Sequence, residues 1–343
     1  MRISDHATVL ISDRNMIVPT TQAALQLAEA GRNLTDVIMI TGGLEPGEIL
    51  DLREFLDAHN VKLLDSAHEI TSLLSEFHFD DTHVTATSLG RLLMADLLPA
   101  QYQHILYIDG DTFVVGDLTD LFRLRVPSGR IAASLESLFV HWDSTSEFAE
   151  KLRTYRQKHS KLGPRDYFNA GILAADRSTW RSIGPEALSF YKRHHEDCIY
   201  HDQSALNVVC ENRVHWISPE FNFLSDFRMM GFEAHIRPKL YHFSGAAKPW
   251  NSRFTPWPVG TYGRYEALAN ANPVLAPFVR TPDKEHLRKI RNRLVAHAVT
   301  EAPGIVHPRQ FIKKHSFFKN YLRDRQFIQS PTYEPYARQS RKV

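Results

Sequence analysis

Two hydrophobic rhythms alternate along the first 108 residues. Short apolar runs rich in β-branched residues recur at 8–12 (TVLIS), 36–41 (DVIMIT), 61–64 (VKLL) and 104–108 (HILYI). Runs of this length, closed by polar or glycine positions, read as buried strands. Between them, apolar positions return at helical spacing. Pro19 opens one such stretch, with Ala24, Leu27 and Ala28 following. Pro46 opens a second through Leu50, Phe55 and Leu56, proline being favoured in a first helical turn. The spacing predicts a longer helix over 86–98, ended by Pro99. Strands spaced by helices predict an α/β sheet of mostly parallel strands, whose ligands sit at the carboxyl ends.

Beyond residue 130 the pattern is mixed. IAASL (131–135) and AGILAA (170–175) read as short strands, a helix is expected over 185–193, and 249–258 is a Trp/Pro-rich loop. The chain shows no internal repeat. Its last part differs in charge. Residues 281–343 hold 14 Lys/Arg and 5 Asp/Glu, a balance of +9, against −7 over the first 280, for a total of +2. Phe311, Phe317, Phe318, Tyr321 and Phe327 interleave with these charges. Two readings stand: a basic extension packed at its aromatic positions, or a peripheral contact with an anionic membrane surface. No nucleic-acid module accompanies the charge, so no nucleic-acid partner is expected.

Composition removes several classes. With 43% hydrophobic and 23% charged residues the chain can bury a core, which excludes general disorder. Its two cysteines, Cys198 and Cys210, exclude a disulfide scaffold and a thiolate-rich zinc site. No apolar run has the length of a signal peptide or a membrane span. The expectation is a cytoplasmic protein, compatible with a peripheral place on the inner membrane face.

The strongest chemical signal is residues 105–115, ILYIDGDTFVV. A buried strand ends in two carboxylates two residues apart. Side chains alternate along a strand, so Asp109 and Asp111 are expected to point the same way. Two hard oxygen ligands suit Mg²⁺ or Mn²⁺ with phosphates completing the shell. Gly110 would permit an unusual backbone conformation and close ligand approach. Further on, LYHFSGAAKPW (240–250) offers His242 as a third ligand. In the same run Gly245 frees backbone N–H groups for an anion, and Lys248 brings a point charge for a diphosphate.

ILYIDGDTFVVGDLTDLF, YFNAGILAADRSTW, HDQSALN and YHFSGAAKPW follow one another in this order. Together they resemble the successive motifs of glycosyltransferase family 8, which includes glycogenin and bacterial lipopolysaccharide galactosyl- and glucosyltransferases. The resemblance covers roughly residues 5–255. It implies a GT-A fold, a Rossmann-like sheet flanked by helices, over about 1–260, with a basic aromatic extension over 261–343. It implies retaining transfer of a hexose, glucose or galactose, from a UDP-sugar to a glycan or lipid-linked acceptor, with Mn²⁺ or Mg²⁺.

Residue by residue, the resemblance makes Asp109, Asp111 and His242 metal ligands, and Gly110, Gly245 and Lys248 diphosphate contacts. ISDRN resembles the opening nucleotide strand, so Asp13 would accept from the uracil N–H with Asn15 beside it; an ordinary strand-to-loop turn is the alternative. SLGRLLMADLLP places Arg91 toward the donor, with a structural ion pair as the alternative. YFNAG puts Asn169 and Gly171 at the floor of the sugar pocket; a turn cap is the alternative for Asn169. Asp202 and Gln203 match the D-Q pair, Asp202 on sugar hydroxyls and Gln203 on the β-face of the anomeric carbon. Asp202 is also placed to cap a helix. ASLESLF makes Glu136 a further sugar contact, with a solvated glutamate as the alternative, and Asn222 in FNF receives no role.

Two positions depart from the family pattern. Gly110 replaces a side chain, and Met16 stands where an aromatic often stacks on the base. The segment between FNAG and HFSG is read as shorter than in the lipopolysaccharide enzymes. A neutral Gln203 is a poor nucleophile, which favours same-face attack over double displacement, with Asp202 and Glu136 kept as candidates. Two alternatives remain: a nucleotidyltransferase or sugar-nucleotide hydrolase, and a degenerate domain that binds a nucleotide sugar without transferring it. Against the first, ISDRNMIVPTT holds no Gly-rich basic loop.

Overall fold

The computed structural model describes residues 4–74, 89–141, 147–160, 162–245, 248–251, 257–258, 260–280, 284–300 and 308–329. Its centre is a seven-stranded sheet of β1 (His6–Asp13), β2 (Asp36–Gly42), β3 (Val61–Asp65), β4 (His104–Ile108), β6 (Ile131–Leu135), β7 (Phe168–Asp176) and β8 (Val214–Ile217). The spatial order is β3-β2-β1-β4-β7-β6-β8. All pairings are parallel except the two made by β7, which runs antiparallel between β4 and β6. A smaller sheet follows the order β5 (Thr112–Val114), β10 (Leu240–His242), β9 (Phe223–Leu224).

The four apolar runs of the first 108 residues form β1 to β4. Period-two alternation divides their side chains between the two faces. Val9, Ile11, Ile105 and Tyr107 enter one hydrophobic cluster; Leu10, Val37, Leu106 and Ile108 enter the other. The helix Ile17–Ala30 covers the second face with Ala23, Ala24 and Leu27, and Pro46 opens the helix Pro46–Asp57 behind a Glu45–Glu48 capping box.

Two helical expectations change. Within 86–98, residues 86–88 lie outside the described residues, and the rest is a 3-10 turn, Gly90–Leu93, followed by a single helical turn, Met94–Leu97. Two packing constraints break it. Arg177 is buried with its guanidinium on the carbonyls of Ala95, Leu98, Pro99 and Tyr102, closing the short helix. Gly184 presses onto Leu92, where an added Cβ would lie 1.9 Å from the Leu92 carbonyl oxygen. The helix expected from Pro185 begins earlier, as Arg177–His194, with Asp176 as its N-cap and Pro185 inside it. The helices Ala67–Leu74 and Glu147–His159 were not anticipated.

The aromatic positions of the basic segment turn inward. In the helix Pro308–Asp324, Phe318 and Tyr321 are buried. Phe318 stacks on Phe232 at 4.4 Å and Phe317 on Phe139 at 4.4 Å. The packed reading describes Phe318 and Tyr321, whose rings are not available to a membrane surface, while Phe311, Phe317 and Phe327 are half-buried. Residues 301–307 and 330–343 of the basic segment, and 252–256 of the Trp/Pro-rich loop, lie outside the described residues. Among the described residues no helix is long and apolar enough to cross a membrane.

Candidate active site

Strand order reverses between β1 and β4, with β2 and β3 on one side and β7, β6 and β8 on the other. In an open α/β sheet such a reversal opens a crevice at the carboxyl ends. Asp13 ends β1, and Asp109 follows β4. Because β7 is antiparallel, it starts where β4 and β6 finish. Asn169 and Gly171 therefore stand beside Asp109 and Glu136, and the Asp109 amide donates to the Gly171 carbonyl at 2.8 Å.

Asp109 and Asp111 converge, though not by strand alternation. Residues 109–111 form the turn between β4 and β5. β10 pairs antiparallel with β5, placing His242 opposite Thr112, and the Phe243 amide donates to the Asp111 carbonyl. His242 Nε2 lies 3.3 Å from Asp111 Oδ1 and 3.6 Å from Asp109 Oδ2. Its Nδ1 lies 2.9 Å from Asn222 Oδ1. Since that oxygen can only accept, Nδ1 carries a proton, which leaves Nε2 facing the carboxylates and able to offer its lone pair to a cation bound between them. Two carboxylates and one imidazole lone pair converging in this way fit a hard or borderline divalent cation; these three residues form a cluster able to hold one.

The electrostatics match. Burial alone would raise the Asp111 carboxyl, but Lys248 and His242 hold it well below the usual range. Burial works against a charged His242, and Asp111 outweighs it, leaving the ring raised. Lys248 Nζ donates to Asp111 Oδ2 and to the Phe243 carbonyl, each at 2.6 Å. Asp109 accepts from Tyr107 Oη and, at 3.2 Å, from Arg91 Nη1.

Arg91 ties two site elements together. Its Nη1 also donates to the Ala170 carbonyl, its Nε pairs with Asp202 Oδ2 at 2.9 Å, and its plane lies over the Tyr107 ring. The Asp202 contact is an ion pair rather than an aligned hydrogen bond. Burial raises Asp202, against the pull of Arg91. Asp202 does not cap its helix: the helix His201–Val209 has Tyr200 at its N-cap and no side-chain cap bond.

The floor of the crevice is a closed amide–carboxylate network. Asn169 Nδ2 and Gln203 Nε2 both donate to Glu136 Oε2, at 2.8 and 2.9 Å, and Gln203 Oε1 accepts from the Ala170 amide at 2.9 Å. Asn169 Oδ1 accepts from the Gly171 amide and from Asn222 Nδ2. Gly171 must be glycine here, since a Cβ would lie 2.3 Å from His242 Cε1. Gly110 is explained the same way. Its backbone has no positive φ, and an added Cβ would lie 2.1 Å from Thr20 Oγ1, so packing against the helix Ile17–Ala30 excludes a side chain. Gly245 does sit in the left-handed region, at φ 83.

Asp13 and Asn15 lie further out. Asp13 Oδ1 caps the 3-10 turn Arg14–Met16 by accepting from the Asn15 and Met16 amides, and Asn15 is exposed. The sequence reading missed Asn222 and Tyr107. Asn222 is fully buried and joins His242 to Asn169; Tyr107 holds a candidate ligand carboxylate.

The fold is that of the GT-A class, and the family match over most of the chain makes it a glycosyltransferase. The chain belongs to the family described as glycosyl transferase family 8, whose model matches residues 12–253. Among similar proteins, General stress protein A of Bacillus subtilis is 25% identical over 231 residues, 62% of this chain and 76% of that protein. Lipopolysaccharide 1,2-glucosyltransferase of Escherichia coli is 25% identical, over 53% of each chain. Glycosyltransferase GlyE of Streptococcus pneumoniae is 25% identical, over 49% of this chain and 38% of its own. The chain thus spans about half or less of the last two relatives. A crystal structure of the galactosyltransferase LgtC with donor and acceptor sugar analogs matches with a TM-score of 0.61 at 20% identity. That match covers 82% of this chain and 99% of LgtC.

Proposed function

We propose that the chain transfers a hexose, glucose or galactose, from a UDP-sugar to a glycan or lipid-linked acceptor with retention of anomeric configuration. One observation carries the reading: Asp109 and Asp111 meet the Nε2 of His242, whose other nitrogen is fixed by Asn222. The names of relatives that transfer glucose and galactose within lipopolysaccharide support the choice of hexose.

Asp109, Asp111 and His242 would hold Mn²⁺ or Mg²⁺, which when bound supplies Lewis acidity toward the donor diphosphate. Lys248 turns from Asp111 to neutralise charge on the departing diphosphate, with Gly245 freeing backbone amides beside it. Asp13 accepts from the uracil N–H with Oδ2, the oxygen that does not cap the turn.

The sugar lies over Asn169, Glu136 and Gln203. Gln203 is committed on both atoms of its amide, and Glu136 Oε1 already accepts from the Ser137 amide and hydroxyl. Asp202 is engaged by Arg91. None of the three is poised as a nucleophile, which supports same-face attack with the leaving diphosphate taking the acceptor proton. The exposed Arg309, Lys313 and Lys319 of the helix Pro308–Asp324 suit contact with an anionic membrane bearing the acceptor.

The test offers purified protein and Mn²⁺ a panel of UDP-, GDP- and ADP-sugars and measures released nucleotide, with Asp111→Asn as control. Release from one UDP-sugar, lost in the variant, is expected. Failure to bind UDP by calorimetry would refute the reading and leave a non-catalytic domain.

A further inference from the structure

A second ligand cluster lies away from the strand ends, where two helices finish. His159 is the last residue of the helix Glu147–His159, His194 is the last of Arg177–His194, and Asp197 closes the 3-10 turn His195–Asp197. One ligand atom from each residue lies within 4.8 Å of the other two. His159 Nε2 is 2.8 Å from Asp197 Oδ2, and the two imidazole centroids are 4.7 Å apart. No residue is shared with the Asp109–Asp111–His242 set.

We propose that His159, His194 and Asp197 form a second metal site, selective for Zn²⁺ and other imidazole-preferring cations over Mn²⁺ or Mg²⁺. Two imidazoles and one carboxylate match the ligand chemistry of Zn²⁺, and imidazole favours later transition metals over Mn²⁺. Two helix C-termini meet here, and each places the negative end of its dipole toward the cluster.

One competitor is present. Lys158 Nζ lies 2.9 Å from Asp197 Oδ1, the oxygen that does not face His159. A cation at the cluster uses Asp197 Oδ2 and tolerates this ammonium only at a distance, so Lys158 sets the affinity. The site also has reach. Tyr155, one turn before His159, donates to the Ser204 carbonyl at 2.7 Å, and Asp197 stands five residues before Asp202. A bound ion therefore pins the turn that precedes the helix carrying Asp202 and Gln203 to the helix Glu147–His159.

The experiment uses the full chain stripped of metal and titrated with Zn²⁺ by calorimetry, with Co²⁺ absorption as a second readout. In a His104→Gln background, which breaks the further group of Asp5, His6 and His104, Asp109→Asn with Asp111→Asn removes the first centre, so what remains reports the second whatever the fate of the transferase reading. This variant is expected to bind one Zn²⁺, to take up no Mn²⁺, and to show the d–d bands of a low-symmetry Co²⁺ site. Adding His159→Gln weakens Zn²⁺ by at least about tenfold. Lys158→Met tightens it, a gain that cannot come from misfolding. Zn²⁺ binding that is absent from the double Asp variant, or that His159→Gln and Lys158→Met leave unchanged, overturns the proposal.

Discussion

Asn222→Ala tests how His242 is aimed. Asn222 is fully buried and makes two side-chain bonds of 2.9 Å, accepting from His242 Nδ1 and donating to Asn169 Oδ1. Truncation does not hurt both partners equally. Asn169 Oδ1 keeps the Gly171 amide at 2.8 Å, whereas among the described residues Asn222 is the partner shown for His242 Nδ1. An unsatisfied buried donor costs about 1–3 kcal/mol, and a bond of this kind contributes about 1 kcal/mol net. The expected loss in urea unfolding is about 2–4 kcal/mol. The ring also loses what fixes its tautomer, and removal of such a support costs about 10- to 100-fold in metal affinity. Asn222→Asp separates the two effects. It keeps an acceptor for Nδ1 but sets a carboxylate oxygen against Asn169 Oδ1, so stability falls while Mn²⁺ affinity stays nearer to wild type. Calorimetric Mn²⁺ titration of the three proteins decides. Equal affinity in wild type and Asn222→Ala would refute the argument that Asn222 orients the ligand.

Gly110→Ala brings a Cβ to 2.1 Å from Thr20 Oγ1 and is expected to cost about 1–3 kcal/mol in chemical denaturation. The Thr20 hydroxyl has no hydrogen-bond partner among the described residues, so Thr20→Ala alone is near neutral and recovers part of the loss in the double variant. Phe318→Ala removes a buried ring stacked on Phe232 and should cost about 3–5 kcal/mol in the same assay; a change below 1 kcal/mol would show the helix Pro308–Asp324 to be a detachable appendage. His215 is buried on β8, and burial together with Arg130 lowers its pKa from 6.5 to about 4. The unfolded chain binds that proton first as pH falls. The stability due to a neutral His215 is therefore complete above pH 6.5 and lost between 6.5 and 4, up to about 3 kcal/mol, and His215→Gln should flatten that part of the stability–pH curve.

What the sequence could reveal depended on the range of the cause. β1 to β4 were legible because each is a self-contained apolar run flanked by punctuation. Asp109, Asp111 and His242 were legible through motif order, although the stated reason for the carboxylates' convergence, strand alternation, belongs to a different local structure from the turn that holds them. The helix expected over 86–98 was misread because its interruption is imposed from outside, by Gly184 on Leu92 and by Arg177 on the carbonyls that follow. Asp202 looked like a cap because the residues after it are helical, while Arg91 across the site decides where its carboxylate goes. Asn222 had no signal of its own. Its role exists only once β9 and β10 are in register, and nothing in FNF announces that.

The antiparallel insertion of β7 also sets a timetable. Asp109 is synthesised early, but its neighbours Asn169, Gln203, Asn222 and His242 arrive in successive instalments, and the ring of Phe318 that backs Phe232 emerges last. At ordinary elongation rates the roughly 200 residues between Asp109 and Phe318 take on the order of tens of seconds to appear. During that interval β1 to β3, which pair with near neighbours in sequence, can already be in place. The Asp109–Asp111 turn meanwhile waits with Thr20, Arg91 and Tyr107 among its nearby partners already made. A ribosome that stalls before β10 leaves a chain without His242, so under the proposed function an unfinished chain cannot spend nucleotide sugar.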